Sequence, residues 1–552
     1  MSDFTAHLDT FARDNLPPDD QWPAFNLDLP ELDYPARMNC ATELLDKMVA
    51  TGHGERPLFY TTSETWSYGD LLAQANRIAR VLVEDLSLAP GNRVLIRAAN
   101  NPMFMACWFA VAKAGGIVVA TMPLLRAKEL GAIVDRAQIG LALCDERLAE
   151  EMEAAVALAP VCERVCYFNG SGAPGAGAEL EHRMAEKPTD FANLETAAED
   201  IVLIAFTSGT TGKPKGTMHF HRDVMAICDC FPRSVLKPSA EDIFIGSPPL
   251  AFTFGLGGLV TFPMRVGAAT VLLEAAPPPK LIESIERFKA TICVTAPTAY
   301  RAMIDQARHD DLTSLRQCVA AGEHLPLATF EAWRDATGIE IINGIGTTEM
   351  LHIFISAAGA DIRPGATGKP IPGYEAMVVD EAMNPLPPGE VGRLAVRGPT
   401  GCRYLADERQ TSYVVDGWNL TGDAYKTDAD GYFWFQARTD DMIVSAGYNI
   451  SGPEVEEALM AHDLVRDCAV VAAPDEERGS IVKAFVILGP GNPGTPALVE
   501  ALQNFVKQAI APYKYPRAVV FVDSLPRTDT GKVQRFKLRA MELEPAARAA
   551  AG

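Results

Sequence analysis

The residues of this chain best suited to chemistry are the ten from Thr207 to Gly216, which read Thr-Ser-Gly-Thr-Thr-Gly-Lys-Pro-Lys-Gly. Glycines let a backbone curl until its N–H groups point to one side, and hydroxyl groups add further donors. The lysines supply positive charge. Such a segment predicts a loop that grips a polyphosphate, with contacts from Thr207, Ser208, Gly209, Thr210, Thr211, Gly212, Lys213 and Lys215.

The position of this loop also follows from the sequence. An apolar, β-branched run at 201–206 precedes it, which predicts a strand and places the loop at the edge of a sheet. The loop differs from that of ordinary nucleoside triphosphatases, whose pattern requires Gly-Lys-Ser/Thr, because Pro214 follows Lys213. A flexible surface loop of Ser, Thr and Gly is the alternative interpretation of this composition.

Four further motifs follow the loop, at 343–349 (Asn-Gly-Ile-Gly-Thr-Thr-Glu), 421–423 (Thr-Gly-Asp), 447–450 (Gly-Tyr-Asn-Ile) and 526–532 (Pro-Arg-Thr-Asp-Thr-Gly-Lys). In kind and order, these segments resemble the signatures of the adenylate-forming superfamily of acyl-CoA synthetases, peptide-synthetase adenylation domains and luciferases. The resemblance implies a reaction in two steps. A carboxylate joins the α-phosphate of ATP and expels pyrophosphate, and the acyl group then passes to a thiol such as that of coenzyme A.

The resemblance assigns roles to three residues of the first step. Lys532 matches the catalytic lysine that bridges the reacting carboxylate and phosphate oxygens. Thr348 matches a donor to the α-phosphate. Glu349 matches the carboxylate that binds Mg²⁺, an ion that prefers oxygen ligands. A solvated surface charge is the alternative interpretation of Lys532 or Glu349 taken singly.

Other residues match the family's nucleotide contacts. Asp423 matches the carboxylate that takes the ribose hydroxyls, and Arg438 matches an arginine that also meets the ribose. Gly322 and Glu323 resemble the strand-end segment beside the adenine, although an ordinary turn is the alternative for that pair.

The resemblance further implies a change of domain arrangement between the two steps. Asp440 falls at the family's hinge, and such a residue must tolerate a large change in backbone dihedral angles. After the rotation, the loop around Ala446 and Gly447 would replace Lys532 and wall the tunnel for the pantetheine arm of coenzyme A.

Within the superfamily, the chain is most similar to the group of benzoate-CoA and 2-aminobenzoate-CoA ligases. Ile345 stands where most members carry an aromatic residue near the adenine. Segments 249–258, 344–354 and 400–404 match the same group. The resemblance covers nearly the whole chain.

In that group the aryl ring lies between the loop after 249 and the segment after 349. The acyl-pocket candidates are Thr253, Phe254, Tyr300, Ile345 and His352. Their apolar members suit a flat ring, while a hydroxyl and an imidazole can recognise an ortho amino group, so 2-aminobenzoate is favoured over benzoate. Core packing and a satisfied buried histidine are the alternative roles.

The elements around the motifs predict an α/β fold. A capped amphipathic helix starts at Ser67 with Asp70 three residues on, a strand follows at 93–98, a helix at 103–113 and a strand at 116–120. This alternation predicts a parallel sheet covered by helices. A second α/β unit is expected from the phosphate loop to about residue 355.

The remaining sequence predicts two smaller parts. Short β-rich runs with Pro/Gly turns predict a β-barrel-like lobe at about 364–436, and an α+β unit follows. We therefore expect an N-terminal ATP- and acyl-binding domain at 1–438, built of two α/β subdomains and that lobe. A small mobile C-terminal domain at 439–552 would carry Lys532.

Composition restricts the partners. With 552 residues the chain exceeds one hydrophobic core, and its net charge of −22 argues against general affinity for nucleic acid or anionic membrane. The beginning does not resemble a secretory signal, and the apolar stretches at 102–125 and 249–273 are interrupted. Eleven scattered cysteines suit a reducing cytoplasm. We expect a cytoplasmic protein, compatible with a homodimer.

One group of histidines and cysteines has the side-chain types of a metal site. His219, His221, Cys228 and Cys230 lie close together in sequence, but they lack the spacing of known zinc sites. A structural metal is therefore disfavoured there.

Rival functions remain open at this stage. An aryl-acid adenylating enzyme that loads a separate carrier protein would use the same motifs, and so would a ligase for another small or medium-chain acid. A catalytically silent ligand-binding protein would not require Lys532, Glu349, Asp423 and the complete phosphate loop together. A luciferase-like oxygenase is the remotest alternative.

Overall fold

The structure is a computed structural model that describes residues 4–172, 177–207, 214–445, 448–475, 478–510, 512–528 and 531–550. Some predicted site residues lie outside the described residues. They are Ser208, Gly209, Thr210, Thr211, Gly212, Lys213, Ala446 and Gly447.

The strands alternate with helices in the first half of the chain and become dense after residue 369. In chain order and within the described ranges they are β1 (Pro57–Tyr60), β2 (Thr65–Ser67), β3 (Arg93–Arg97), β4 (Ile117–Thr121), β5 (Leu141–Asp145), β6 (Arg164–Phe168), β7 (Ile201–Thr207), β8 (Lys215–Phe220), β9 (Ile243–Gly246), β10 (Ala269–Val271), β11 (Ile292–Thr295), β12 (Gln317–Ala320), β13 (Ile341–Gly346), β14 (Ile353–Ser356), β15 (Lys369–Pro370), β16 (Glu375–Val379), β17 (Gly392–Arg397), β18 (Val414–Val415), β19 (Trp418–Thr427), β20 (Phe433–Arg438), β21 (Ile443–Ser445), β22 (Tyr448–Ile450), β23 (Val465–Asp475), β24 (Gly479–Leu488) and β25 (Ala518–Phe521).

The helices of the described ranges are α1 (Phe11–Asp14), α2 (Tyr68–Arg80), α3 (Pro102–Lys113), α4 (Ala127–Ala137), α5 (Ala149–Leu158), α6 (Glu179–Ala185), α7 (His221–Phe231), α8 (Thr253–Leu256), α9 (Phe262–Val266), α10 (Pro278–Phe288), α11 (Pro297–Ala307), α12 (Leu327–Thr337), α13 (Gln410–Tyr413), α14 (Gly452–Met460), α15 (Pro496–Ala509) and α16 (Arg535–Ala550). Wider helical turns extend α2, α7 and α8 at Val81–Asp85, Pro232–Leu236 and Gly257–Thr261.

The first sheet confirms the predicted parallel, helix-covered arrangement. Within the described residues it has six strands in the order β6-β5-β3-β4-β7-β8, all parallel except the last pair. β7 and β8 pair antiparallel, so the predicted phosphate loop connects a hairpin at the edge of this sheet. The strand expected at 201–206 is observed as β7.

Helix α2 begins where its capping signal predicts. The Ser67 hydroxyl accepts the N–H of Asp70 at 3.0 Å, and the Asp70 carboxylate accepts the N–H of Ser67 at 2.8 Å. This reciprocal pair satisfies two N–H groups that a helix start leaves without partners. The helix then packs beside α3 in the core that lies between the two large sheets.

The second sheet differs from its predicted extent. Across the described ranges it has nine strands in the order β15-β14-β13-β12-β11-β9-β10-β1-β2. It therefore takes β1 and β2 from before the first sheet, whereas β8, which lies within the range expected for this unit, belongs to the first sheet. The physical reason is that strand partners are chosen by burial across the fold: β8 pairs with β7, and β7 pairs with β4 of the first sheet.

The β-rich lobe lies where the sequence predicts it. β16, β17, β19, β18 and β20 form an antiparallel sheet, with β20 pairing β19 opposite β17. The C-terminal part has a separate sheet, β23-β24-β25, packed with α14, α15 and α16.

All eleven cysteines lie in the described part of the chain, and each is free and buried. They act as small apolar side chains of the cores. Among the described helices, none combines the length and the apolar character that crossing a bilayer would require.

Buried histidines make the stability of this fold dependent on pH. His221 is fully inside the first lobe, where its Nδ1 accepts the backbone N–H of Cys40 at 3.1 Å. Burial, aided by His7 and opposed by Asp200, lowers the pKa of His221 to about 3. Burial also lowers the pKa of His324 to about 4.

We expect the free energy of unfolding to fall as the pH drops below about 6.5, because the unfolded chain then takes up protons that the folded histidines reject. For one such histidine the slope approaches ~1.4 kcal/mol per pH unit. His221→Gln keeps an acceptor for Cys40 but removes the titrating ring, so its slope should be shallower. Urea unfolding between about pH 7 and pH 5 measures both slopes, and equal slopes would contradict the assignment.

Candidate active site

The hairpin of β7 and β8 brings the two ends of the predicted phosphate loop together, with Thr207 opposite Lys215. The hydroxyl of Thr207 is buried and has no hydrogen-bond partner within the described residues. The Lys215 ammonium donates to Oε1 of Glu349 at 2.7 Å and to the phenol oxygen of Tyr404 at 2.5 Å. Positive charge thus stands at the base of the loop, beside the predicted magnesium ligand.

Glu349 presents an ionised carboxylate from the segment after β13. The residue is only 5 % exposed, and its Oε1 also accepts the hydroxyl of Tyr404 at 2.5 Å. Burial raises the pKa of Glu349, but the charge of Lys215 and the two hydrogen bonds outweigh it and leave that pKa below its usual value. The group is therefore an anion at neutral pH.

This carboxylate suits a magnesium ion that arrives with ATP. No cluster of three or more His, Cys, Asp or Glu residues able to hold a metal occurs in the described ranges. Mg²⁺ bound with a nucleotide needs only one or two carboxylates, since phosphates and waters supply the other ligands. The described residues donate no hydrogen bond to Oε2 of Glu349, so one oxygen is available.

The backbone carbonyl of Thr348 is hydrogen-bonded to a buried histidine ring. The ring of His219, which lies on β8, is hydrogen-bonded through Nε2 to the carbonyl oxygen of Thr348 at 2.8 Å. The ring of His221 instead meets Cys40. The two histidines of the His/Cys cluster therefore have separate partners.

The two predicted ribose ligands face each other across neighbouring strands. Asp423 of β19 lies opposite Arg438 of β20, and the guanidinium donates to Oδ1 of Asp423 at 3.1 Å. Gly422 has φ +77°, and a Cβ there would come within 2.9 Å of the Arg438 guanidinium. The glycine thus permits both the left-handed turn and the close approach of the arginine.

The segment predicted to lie beside the adenine packs against the same pair of strands. Gly322 has φ +87°, which fits the turn after β12. Oε1 of Glu323 is buried without a hydrogen-bond partner among the described residues. The next ring, His324, stacks on Phe435 of β20 with centroids 5.1 Å apart.

Lys532 reaches this group from the C-terminal part. Its N–H donates to the Thr528 hydroxyl at 3.0 Å, which fixes the turn that carries it. The residue is exposed overall, but withdrawal of its ammonium from bulk water lowers its pKa, with Arg438 acting in the same direction and Glu323 and Asp423 opposing. The charges of three predicted nucleotide residues, Glu323, Asp423 and Arg438, thus act on the Lys532 ammonium.

His352 forms the centre of an aromatic group. The residue is 3 % exposed, and its ring lies 4.4 Å from Phe262 and 5.7 Å from both Phe231 and Phe254, between ring centroids. Within the described chain neither ring nitrogen meets the geometry of a hydrogen bond, although the backbone of Phe254 is near enough to oppose the effect of burial on the pKa of His352. Burial lowers the pKa of His352 to about 3, so the ring is neutral, with one donor and one acceptor nitrogen.

Three other pocket candidates lie around that group. Thr253 and Phe254 begin α8 and are half-buried. Ile345 is half-buried on β13, which pairs with the strand that follows His352. At Gly257 a Cβ would lie 2.3 Å from the His352 ring, so the absence of a side chain lets this helical segment approach it.

Tyr300 does not belong to this group, which corrects its assignment to the acyl pocket. It is fully buried in the other core of the nine-stranded sheet, against Trp333. Its hydroxyl lies 2.9 Å from the carbonyl of Cys293 and 3.1 Å from that of Val319. The hydroxyl of Tyr300 is therefore committed to backbone carbonyls, and its ring to that core.

Sequence reasoning missed a buried charged pair behind the site. Arg403 and Asp223 form an ion pair with neither side chain exposed, and Asp223 lies 3.8 Å from His219. Arg403 falls within segment 400–404, which the resemblance singled out, but its partner on α7 lies 180 residues away. No local pattern signals such a contact.

Contacts of Glu457 and Arg301 join the C-terminal part to the second sheet's helices, and the Arg301 guanidinium also donates to the backbone carbonyl of Arg466. Oε1 of Glu457 on α14 accepts the N–H of Leu327 at the start of α12, at 3.0 Å. The Arg301 guanidinium lies 3.7 Å from Asp467. The predicted hinge, Asp440, lies in a single helical turn at Thr439–Asp441, directly after β20.

Comparison with known proteins gives a consistent result. A profile of the AMP-binding enzyme family matches residues 47–404, and one of the AMP-binding enzyme C-terminal domain matches residues 454–532. The chain is 33 % identical over 518 residues to a benzoate-CoA ligase of Thauera aromatica, covering 93 % of this chain and 97 % of the relative.

Solved structures agree with that relationship. A crystal structure of an anthranilate CoA ligase in complex with anthranoyl-AMP has a TM-score of 0.88 and 34 % identity, covering 94 % of this chain and 100 % of that chain. A benzoate CoA ligase from Burkholderia xenovorans LB400 has a TM-score of 0.82 and 30 % identity, covering 91 % and 100 %.

The ribose pair can be tested with two glycines of the same lobe. Gly422→Ala should weaken ATP binding about fivefold, because its Cβ displaces the Arg438 guanidinium. Gly431→Ala is the matched control, since Gly431 has φ +80° but nothing within 4 Å of a Cβ. Both changes strain a left-handed residue and should cost about 1 kcal/mol of stability. Equal nucleotide affinities, measured by calorimetry, would contradict the proposed role of Arg438.

Proposed function

The chain belongs to the AMP-binding enzyme family, and we propose that within it the acid substrate is 2-aminobenzoate. The chain is an AMP-forming aryl-CoA ligase. It activates an aromatic carboxylate with ATP as an acyl-AMP, releases pyrophosphate and transfers the acyl group to the thiol of coenzyme A. Benzoate is the second candidate acid, because its ring fits the same apolar surroundings.

The observation that carries the choice of acid is the neutral, unpartnered imidazole of His352 among aromatic rings. A buried polar group without a partner is unfavourable by roughly 1–3 kcal/mol. An ortho amino group donating to the ring would relieve that penalty, whereas plain benzoate would not. Thr253 and Phe254 lie at the same end of α8 and support the ring's placement there.

The first half-reaction brings two anions together, so positive charge must offset their repulsion. Lys532 is proposed to bridge the carboxylate and the α-phosphate, and its position near Asp423 and Arg438 supports that role. Thr348 would donate to the same phosphate. Glu349 would hold Mg²⁺, which supplies charge neutralisation of the phosphates.

The second half-reaction requires a different arrangement of the C-terminal domain, proposed as residues 439–552 turning about Asp440. In the observed arrangement the charges of Asp423 and Arg438 act on Lys532, and Glu457 caps α12. The turn would break that cap and the Arg301–Asp467 contact. Ala446 and Gly447 would then line the coenzyme A side.

The net charge of −22 and the free, buried cysteines support a cytoplasmic location without nucleic-acid or membrane partners. A homodimer is the proposed assembly to check by light scattering. These proposals are independent of the reaction, so their failure would leave it intact.

The choice of acid is tested by pyrophosphate release with ATP, Mg²⁺ and coenzyme A on benzoate, 2-aminobenzoate, salicylate and a medium-chain fatty acid. We expect the highest kcat/KM on 2-aminobenzoate. In His352→Leu its kcat/KM should fall about 5- to 100-fold relative to that of benzoate, which serves as the internal control. An unchanged ratio would reject the proposed contact, and pyrophosphate without thioester would indicate a carrier-protein acceptor.

The role of Lys532 is tested by separating the half-reactions. Lys532→Ala should reduce acyl-adenylate formation at least about 100-fold, because the developing charge loses its cation, while transfer from supplied acyl-AMP stays near the original rate. Lys537→Ala, an exposed lysine of the same domain, is the matched control. Equal losses in both halves would show that the lysine acts on something other than adenylation.

A further inference from the structure

Among the described polar groups that the proposed mechanism leaves without a role, Tyr404 contacts the carboxylate of Glu349 directly. We infer that Tyr404 is a positioning residue: its hydroxyl fixes Oε1 of Glu349 so that Oε2 remains directed to the magnesium ion of the ATP complex. This inference rests on the proposed function and adds a residue that the mechanism above does not use.

The first support is that Tyr404, Lys215 and Glu349 are all hydrogen-bonded to one another. The Tyr404 hydroxyl donates to Oε1 of Glu349 at 2.5 Å, the Lys215 ammonium donates to the same oxygen at 2.7 Å, and the lysine reaches the phenol oxygen at 2.5 Å. Within the described residues, both side-chain donors therefore bond to the same carboxylate oxygen, Oε1 of Glu349. A carboxylate held by one oxygen keeps the other free for a cation.

The second support is that Tyr404 has little freedom to turn away. It is 1 % exposed, and its ring packs edge-on against Tyr413 with centroids 5.7 Å apart. Its N–H donates to Oε1 of Gln410 at 2.9 Å, and the amide of Gln410 donates to the carbonyls of Gln21 at 2.8 Å and Cys402 at 3.1 Å. The tyrosine is therefore fixed by neighbours on both its backbone and its ring.

The third support separates the roles of the two donors. Lys215 begins the strand directly after the phosphate loop, so a bound phosphate would attract its ammonium. The Tyr404 phenol carries no charge and has no such competitor. When the nucleotide draws Lys215 away, Tyr404 is the donor that stays on Oε1 of Glu349.

The test compares two conservative changes. Tyr404→Phe removes one hydroxyl and keeps the ring. Tyr68→Phe is the matched control, because Tyr68 is also fully buried and donates one hydrogen bond, to the carbonyl of Ala268 at 2.8 Å. Mn²⁺ binding in the presence of α,β-methylene-ATP is measured by electron paramagnetic resonance, and the Mg²⁺ dependence of pyrophosphate release is measured in parallel.

We expect Tyr404→Phe to weaken Mn²⁺ binding and raise the half-saturating Mg²⁺ concentration about tenfold, with the KM of the acid unchanged. Tyr68→Phe should move neither value. Unchanged metal affinity in Tyr404→Phe, or an equal change in Tyr68→Phe, would overturn the inference. If Tyr404→Phe does not fold, Gln410→Ala decides: it frees the tyrosine backbone and should weaken Mn²⁺ binding in the same way, and unchanged affinity would overturn the inference.

The same measurements separate this inference from the proposed function. Wild-type protein that binds Mn²⁺ with the nucleotide but releases no pyrophosphate from any aryl acid would contradict the proposed function alone. The measurement of Mn²⁺ binding would still decide the role of Tyr404. Wild-type protein that fails to bind Mn²⁺ with the nucleotide would overturn both.

Discussion

One buried carboxylate governs how the three lobes of the N-terminal domain meet. Glu349 follows a strand of the nine-stranded sheet, Lys215 begins a strand of the six-stranded sheet, and Tyr404 comes from the segment before β18. An anion withdrawn from water is tolerated only with a partner charge and hydrogen bonds. Each lobe supplies one of the three groups. The charge of Glu349 is therefore compensated only when the three lobes keep this placement relative to one another.

A second pair of opposite charges is buried behind this site. Arg403 and Asp223 are both fully buried, and the guanidinium also lies 3.9 Å from the centroid of the Phe220 ring. Removing either charge would leave the other buried without a partner, which is more unfavourable than losing a surface contact. Through His219 this pair extends to the carbonyl of Thr348, so the segment that carries Thr348 and Glu349 is supported by charged rather than apolar groups.

Local signals in the sequence predicted the parts of this architecture that depend on neighbours along the chain. The capping box at Ser67 and Asp70 located the start of α2, and the apolar run at 201–206 located β7. Partners distant in sequence could not be predicted in this way. The inclusion of β1 and β2 in the second sheet depends on pairing with β10, some 200 residues away, and the hydroxyl of Tyr300 found backbone carbonyls that no residue pattern specifies.

The burial of every cysteine gives the chain internal reporters of local opening. Alkylating reagents attack the thiolate, and burial raises the pKa of thiols such as those of Cys402 and Cys468, so these groups react only when their surroundings open. Cys40 lies in the core between the two large sheets, Cys402 packs with Tyr404 and Tyr413, and Cys468 lies in the C-terminal sheet. Mass spectrometry of timed alkylation would therefore rank the opening free energies of the separate lobes in the unaltered protein.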